Sequence, residues 1–401
     1  MGKYFAGRIK KTGSDRLHIG LTTGSHFIID IYQSFYVGLI PLLTLKFGLS
    51  LFKVSLFGAT SVISNSLFAP LFGYLADKYG LKYFIVAGPI ITSVFLSFIG
   101  VIPNYWIIIL FIFLGNIGVA LYHPASAAMA SHFGGAKKGF YSSLISFGGN
   151  FGAAFGSLLI ILILKKIGIN YTPLAMIPGI IIAIVLLRFV SQKQSKVNAS
   201  KDLKIFSKLK RMSLKKLFLI FTLVFSVYSL YVIWITLVNY MPLYLTGLNV
   251  PLINIGIILF LFGTLGGSGG VLAGFLYDRF KKGNIIIQTA LLVSIPLLYF
   301  IFEVNLISSV VLFILSGIFL ISLQPVCLRI VQDILPGNVS FASSLILGLS
   351  SGLAGVTMIF LGKAADIIGI EKLVRYELLF LFAAFLILFF YPAVSKKHGI
   401  L

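Results

Sequence analysis

Long apolar runs, each ended by a short cluster of polar or turn-forming residues, dominate this chain. The breaks carry turn chemistry, as at Asp77-Lys78-Tyr79-Gly80, Pro103-Asn104, Gly134-Gly135-Ala136-Lys137 and Pro336-Gly337-Asn338. Read this way, the pattern predicts about twelve helices long enough to cross a hydrocarbon layer. They fall near 20–45, 52–75, 83–102, 105–131, 139–164, 172–190, 214–241, 252–277, 284–303, 306–331, 341–363 and 374–394. The longest polar stretch, Ser191–Ser213, is rich in Lys and reads as a linker, part of which suits a basic amphipathic helix on a membrane. Residues 1–20 are polar and basic, and the apolar run after them is too long for a signal-peptide core, so the first span is expected to be retained.

Composition agrees with the pattern. Hydrophobic residues make up 59% of the 401 residues and charged ones 10%, with a mean hydropathy of +1.05. A water-soluble domain with that ratio would expose more apolar surface than water tolerates. The net charge of +22 would point a soluble protein toward nucleic acid, but its placement excludes that reading. Lys and Arg cluster in Lys3–Arg16, Lys78–Lys82, Lys137–Lys138, Arg188–Lys216, Arg279–Lys282 and Lys396–Lys397, on alternate connections. The intervening connections hold only Lys46, Lys53, Lys165, Lys166, Lys363, Lys372 and Arg375. This asymmetry places both termini and the middle linker on the cytoplasmic side, close to anionic lipid. Cys327 is the only cysteine, so neither an intrachain disulfide nor a cysteine metal cluster can form.

The chain repeats itself. A shift of 201 residues lays Pro41-Leu42 on Pro242-Leu243, Gly73-Tyr-Leu-Ala-Asp77 on Gly274-Phe-Leu-Tyr-Asp278, Pro124 on Pro325, Ser142-Ser143-Leu144 on Ser343-Ser344-Leu345, and Gly168 on Gly369. One constant offset through most of each half is not chance. The expected organisation is an all-α polytopic membrane protein of twelve transmembrane helices in two pseudo-symmetric six-helix bundles. The N-terminal bundle covers 1–190, the cytoplasmic linker 191–213 and the C-terminal bundle 214–401. Six spans per repeat give both halves the same orientation, the parallel repeat of a two-bundle transporter with its substrate site between the halves.

Gly73-Tyr-Leu-Ala-Asp77-Lys78-Tyr-Gly80-Leu-Lys82, with its degenerate copy Gly274-Phe-Leu-Tyr-Asp278-Arg279, resembles the loop signature between the second and third spans of the major facilitator superfamily. Three further stretches resemble that superfamily's fosmidomycin resistance group of drug exporters. They are His26-Phe-Ile-Ile-Asp30-Ile-Tyr-Gln33-Ser34, Tyr122-His123-Pro124 and Gly148-Gly149-Asn150-Phe-Gly152. The resemblance implies proton-driven efflux of a small, often anionic compound, and a cytoplasmic latch made by Gly73, Asp77, Lys78, Asp278 and Arg279. Two departures bear on the antiport mechanism. The fourth span has no Arg or Lys between Tyr105 and Ala130, and Gly156-Ser157 stands where related antiporters carry a Gly-Pro pair.

Ionisable groups inside a bilayer cost several kcal/mol unless they face a cavity or a partner. His26, Asp30 and Gln33 share one narrow face of the first span, as Asn116 and His123 do on the fourth. Asp30 is the candidate proton carrier, with His26 one turn away as its partner and a buried structural pair as the alternative. His123 is a further proton-coupling candidate, or a residue that satisfies a carbonyl freed by the following Pro124. Gln33, Asn116 and Asn150 are candidate substrate contacts or helix–helix glue. The internal shift sets Asp30, Gln33 and His123 against Tyr231, Trp234 and Gln324. This suggests proton handling in the first half and substrate stacking in the second, with ordinary aromatic packing as the alternative. Arg329 and Asp333, four apart, read as an ion pair at the cytoplasmic face or an anion hook. Glycines every four residues (Gly148, Gly152, Gly156; Gly266, Gly270, Gly274; Gly348, Gly352) predict smooth stripes. The resemblance implies that the fifth and eighth spans, and the second and eleventh, meet across the halves, so the stripes would be surfaces on which the halves rock, static tight packing being the alternative.

No HExxH motif and no metal cluster appears in the sequence, which argues against the usual metalloenzyme readings, and no ring of like charges marks a channel. The expectation is a monomeric secondary transporter without cofactor or metal, whose partners are protons, lipid and a small-molecule substrate. An uptake symporter for an organic acid or sugar is the alternative.

Overall fold

The computed structural model describes residues 13–134, 138–190, 212–335 and 339–395, and every regular element among them is helical. The first half holds α1 (Gly13–Gln33), α2 (Phe35–Phe47), α3 (Leu51–Tyr79), α4 (Leu81–Ser97), α5 (Tyr105–Gly134), α6 (Lys138–Ile167), a 3-10 turn (Ile169–Ala175) and α7 (Met176–Phe189). The second half holds α8 (Leu214–Gly247), α9 (Leu252–Phe280), α10 (Gly283–Phe300), α11 (Leu306–Ile334), α12 (Val339–Ser343), a π-helical turn (Ser344–Leu349), α13 (Ser350–Ile368) and α14 (Ile370–Ser395). Among the described residues, ten helical segments can cross a bilayer by length and composition, α1 and α2 counting together, and Leu81–Ser97 is a shorter apolar helix. Large apolar side chains at Trp106, Ile184, Phe221, Ile307, Phe360 and Leu379 are exposed, a surface suited to lipid. The chain is therefore a multi-pass membrane protein. Most of the expected linker, residues 191–211, lies outside the described residues.

The repeat is visible to the residue. Leu51–Tyr79 shifted by 201 is Leu252–Phe280, and Lys138–Ile167 shifted likewise spans Val339–Ile368, where α12, the π turn and α13 follow one another. Left-handed backbone tells the same story: the positive-φ residues among those described are Gly48 with Asn249, Gly80 with Lys281, and Gly168 with Gly369, three pairs at that offset. Glycine meets this geometry without strain, and Asn tolerates it better than most residues. The turns, which sequence can vary freely, have thus kept their shape even where the side chain changed.

The first span departs from the uninterrupted run expected over 20–45. It breaks at Ser34, between α1 and α2. Ser157 of α6 donates its hydroxyl to the Ser34 carbonyl at 3.2 Å, satisfying a backbone group at the break. Gly38 lies so close to α6 that a Cβ there would sit 2.6 Å from the Ser157 carbonyl oxygen.

The halves meet along two seams, α6 on α9 and α3 on α13, with α2 and α3 also touching α8. These are the cross-half pairs that the family resemblance implies. The glycine stripes mostly do not line them. Side chains at Gly148, Gly152 and Gly156 would strike Thr23, Phe27 and Ile31 of α1, and those at Gly266 and Gly270 face α11. An i, i+4 stripe serves the nearest neighbour, which here is a helix of the same half. Gly352 of the third stripe does face α3, beside Ser66, and the seams otherwise use small positions outside the stripes: Gly256, Gly263 and Gly267 against α6, and Gly355 and Gly362 against α3.

Contact between the halves is concentrated at one end. At the end carrying the α2–α3 and α8–α9 turns, the Asp366 carboxylate of α13 accepts from the backbone N–H groups of Leu51 (2.7 Å) and Phe52 (3.3 Å). Tyr240 of α8 donates to the Leu51 carbonyl at 2.9 Å. One apolar core runs through both halves there. Toward the other end, which carries the basic α3–α4 and α9–α10 connections, the first half has a core of its own around Ile29, Ile85, Tyr122 and Met129. Gly274 and Gly348 have nothing within 4 Å. The halves are clasped at the far end, and along the α3–α13 seam the clearance at the glycines grows toward the basic end, from 2.9 Å at Gly355 through 3.3 Å at Gly352 to nothing within 4 Å at Gly348.

The glycine contacts predict unequal tolerance. Gly152→Ala, which drives a methyl into the Phe27 carbonyl, should lower the stability of the purified protein by about 1–3 kcal/mol. Gly267→Ala, whose nearest neighbour is Asn150 Cβ at 3.6 Å, should stay within about 0.5 kcal/mol. Thermal melting in detergent checks both.

Candidate functional site

Asp30 lies on α1, 7% exposed. Its two carboxylate oxygens each face an imidazole: Oδ1 lies 3.0 Å from Nε2 of His123 on α5, and Oδ2 lies 3.4 Å from Nε2 of His26 one turn earlier on α1. The two imidazole centroids are 4.8 Å apart, edge to face. Sequence spacing put His26 beside Asp30; the fold adds His123 from a helix ninety-three residues away.

The neighbours of the triad explain how it is held. Tyr122, fully buried, donates to the Thr22 carbonyl at 2.7 Å and shares a hydrogen bond with Ser25 Oγ at 2.5 Å. This pins α5 to α1 one residue before His123. Ser126 Oγ donates to the His123 carbonyl at 2.9 Å, a backbone partner close to the helix-perturbing Pro124. Gly73 of α3 lies against Pro124, where a Cβ would come within 3.3 Å. Gly149 of α6 closes the other side: a Cβ there would sit 2.5 Å from Asp30 Oδ2 and 2.7 Å from His26 Nε2. The site therefore demands a residue without a side chain at Gly149.

Chemically, one acid and two imidazoles converge on a volume where a proton can reside on any of three groups. The ionised carboxylate gains charge-assisted hydrogen bonds from whichever imidazole nitrogens carry protons. The side chain of His123 is 31% exposed, against 13% for His26 and 10% for Asp30, so His123 is the member nearest to solvent. The three ligand atoms lie within 4.8 Å of one another, a spacing and donor set that could also take a divalent transition metal.

A second polar cluster lies one turn along α1. Asn116 of α5 is buried; its Oδ1 accepts from Gln33 Nε2 at 3.3 Å and from Ser61 Oγ at 3.0 Å, and its Nδ2 donates to the Ile112 carbonyl at 2.8 Å. Every polar atom of Asn116 is used, as in a residue that ties helices together. Asn150, by contrast, is exposed on α6 beside Gly267 of α9. Tyr231 and Trp234 of α8 are partly buried and pack on the main apolar core. Gln324 of α11 is also partly buried. Among the described residues no hydrogen bond joins these three to the triad.

At the basic end, Asp278 lies 3.4 Å from Lys281 Nζ and 3.7 Å from Arg329 Nε, and Arg329 also reaches Asp333 at 3.8 Å. Tyr277 donates to Asp333 at 2.9 Å. Arg329 and Asp333 thus form a network at the basic end that joins α9 to α11. Arg279 stacks over Phe280 and Lys78 over Tyr79. The side chain of Asp77 lies outside the described residues.

Sequence reasoning missed Gly149 as a site position, Asp366 as a cross-half cap, and Glu377, a carboxylate 1% exposed on α14. Glu377 was detectable by the rule that singles out Asp30, since it too falls in an apolar span; the nearby Glu371, Lys372 and Arg375 make that segment look like a charged helix end.

A family model described as Major Facilitator Superfamily matches residues 22–347. The fosmidomycin resistance protein of Escherichia coli (strain K12) is 26% identical over 359 residues, covering 88% of this chain and 87% of that one. An uncharacterized MFS-type transporter, YfnC of Bacillus subtilis (strain 168), is 23% identical over 370 residues, covering 90% of each. Among solved structures, a bacterial homolog of the human lysosomal transporter Spinster, inward-facing and occupied, superimposes with a TM-score of 0.79 at 15% identity, over 96% of this chain and 98% of that one. A D-xylose–proton symporter does so with a TM-score of 0.70 at 15% identity, over 93% and 96%.

The two asparagines should part company on mutation. Asn116→Ala leaves Gln33 and Ser61 without their acceptor, so it should cost about 1–3 kcal/mol of stability. Asn150→Ala should change stability by no more than about 0.5 kcal/mol. Melting curves of the two purified variants decide the point.

Proposed function

This chain belongs to the Major Facilitator Superfamily and is a transporter rather than an enzyme, and we propose that it is a proton-driven exporter of a small amphipathic or anionic compound such as fosmidomycin. The observation that carries this reading is the Asp30 carboxylate held between His26 and His123, with His123 the most exposed of the three. The likeness to a fosmidomycin resistance protein over most of both chains supports the substrate class.

In this reading the protein lies in the cell membrane as a monomer of twelve spans. The basic end faces the cytoplasm, as the placement of Lys and Arg favours, and both termini lie on that side. The bundles 1–190 and 214–401 are the two moving bodies, joined by the linker 191–213. The clasp of Asp366 and Tyr240 on Leu51 and Phe52 then marks a closed outer gate, and the parted basic end an inward-open state. Substrate enters from the cytoplasm and meets Asn150, Gln33, Tyr231, Trp234 and Gln324. Asp30 with its two histidines loses a proton to the cytoplasm and regains one from outside. The two states alternate because the protonated and ionised triads favour different packings of α1 against α5 and α6. As the outer gate opens, Asp366 releases the N-terminus of α3, and the latch residues Gly73, Asp77, Lys78, Asp278 and Arg279 close the cytoplasmic end. An anionic substrate suits a cavity in which the acid is already neutralised by imidazole.

Three outcomes follow in everted vesicles that take up labelled fosmidomycin under an imposed pH gradient. Asp30→Asn should reduce gradient-driven uptake at least about tenfold, a loss typical of a proton-transfer group, at normal membrane abundance. Gly149→Val should do the same by displacing the carboxylate. Trp234→Ala should raise the apparent KM several-fold while gradient dependence persists; an unchanged KM would remove the stacking role. Separately, Asp366→Ala should shift spin-label distances across the α3–α13 seam toward a wider outer end; identical distance distributions would show that this clasp does not hold the gate.

A further inference from the structure

The second half holds a buried acid that the triad chemistry does not use. Glu377 of α14 is 1% exposed. Its Oε1 accepts from Thr236 Oγ1 of α8 at 2.7 Å, while Oε2 is buried without a hydrogen-bond partner. Thr236 also points at the thioether of Met358 on α13, at 3.5 Å. The charged and titratable groups around it are few. Tyr240 on α8 bonds the Leu51 carbonyl, and Asp366 on α13 caps α3. Arg375, on α14 itself, is paired with Glu303 at the end of α10. Glu371, Lys372 and Tyr376 of α14 are exposed. Among the described residues no Lys, Arg or His nitrogen lies within ion-pair distance of Glu377.

An ionised carboxylate so placed would be an unpaired charge in an apolar bundle, which costs several kcal/mol. One hydrogen bond does not offset that, so the neutral acid is the form this packing accommodates.

Folding does not explain the acid. The repeat provides an internal control, because the shift of 201 residues sets Glu377 against Met176 and Thr236 against Phe35. Phe35 is buried. At the matching positions the first half therefore carries two apolar residues. An acid with an unsatisfied oxygen is a loss by comparison, and such groups persist where they serve a function.

The position suggests which function. Thr236 and Tyr240 are one turn apart on α8, and the Tyr240 hydroxyl makes part of the far-end clasp on Leu51. Releasing the clasp frees the Tyr240 side of α8 and lets far-side water approach Thr236 and Glu377. We propose that Glu377 is a second proton-carrying carboxyl of the transport cycle, loaded from the far side when the contact of α3 with α8 and α13 opens. The balance is simple: the carboxylate takes a proton from hydronium, which becomes water, and the neutral acid is sealed when the clasp re-forms, as in the present state. This rests on the proton-driven reading of the chain, but its test does not depend on fosmidomycin being the substrate.

The test is infrared difference spectroscopy of the full-length protein in proteoliposomes through a series of pH steps. One carbonyl-stretch component of a protonated carboxyl should titrate in the wild type, persist in Asp30→Asn and be missing from Glu377→Gln, where any component from Asp30 remains. Thr236→Val, a milder change that removes the one hydrogen bond, should keep the band and shift its midpoint; this variant also serves if Glu377→Gln does not fold. A Glu377→Gln spectrum that keeps every titrating component of the wild type, or an unmoved midpoint of this component in Thr236→Val, overturns the proposal. So does a Glu377 band that never responds to pH, which would make the acid structural. With fosmidomycin as probe, protons moved per molecule should fall in Glu377→Gln. Absence of any fosmidomycin transport in the wild type would instead sink the substrate assignment and leave the infrared result standing.

Discussion

A charge inside an apolar bundle must be paired or neutralised, and Asp30 meets that demand through two imidazoles brought from separate helices. Much of the first half's detail serves this arrangement. Tyr122 pins α5 to α1, Gly149 leaves room for the carboxylate beside α6, and Gly73 admits Pro124 against α3. Histidine suits the role because either form can satisfy the acid: protonated as a counter-ion, neutral as a hydrogen-bond donor. This is the property that the proposed proton carrier needs. The same geometry would be less useful to a purely structural pair, which would gain more from a permanently charged Lys or Arg.

The repeat supplies the frame in which such a site becomes mechanical. Two copies of one helix pattern, matched to the residue at α3 and α9, meet along seams of small side chains that permit close approach. The copies have diverged in chemistry. The first carries Asp30, Gln33 and His123; the second carries Tyr231, Trp234 and Gln324 at the matching positions, and places its own acid, Glu377, behind the seam rather than on it. The far end is clasped by a carboxylate bonded to the exposed N–H groups of a helix start, an interaction strengthened by the helix dipole. The clasp is polar and local, so it can be broken and re-formed without unpacking either bundle.

Much of this was legible in the residues. The spans, the repeat and the basic asymmetry follow from composition and periodicity, because lipid leaves the backbone few options. The i, i+4 spacing of His26 and Asp30 was enough to pair them. What periodicity could not supply was partnership between distant helices. His123 reaches Asp30 only through the docking of α5 on α1. The glycines at 148, 152 and 156 were visible as a stripe, but nothing local said that α1 rather than α9 would cover it. The break at Ser34 arises from α6 pressing on α2, a tertiary effect. Glu377 was hidden by its charged neighbours rather than by any lack of signal.

Proton release on ligand binding tests the central claim most directly. Purified protein in weakly buffered solution, mixed with fosmidomycin near neutral pH, should release protons in step with binding, and Asp30→Asn should bind with little or no release. Binding by the wild type with no proton release, or equal release from the Asn variant, would contradict the assignment of Asp30 and its two histidines as the coupling site.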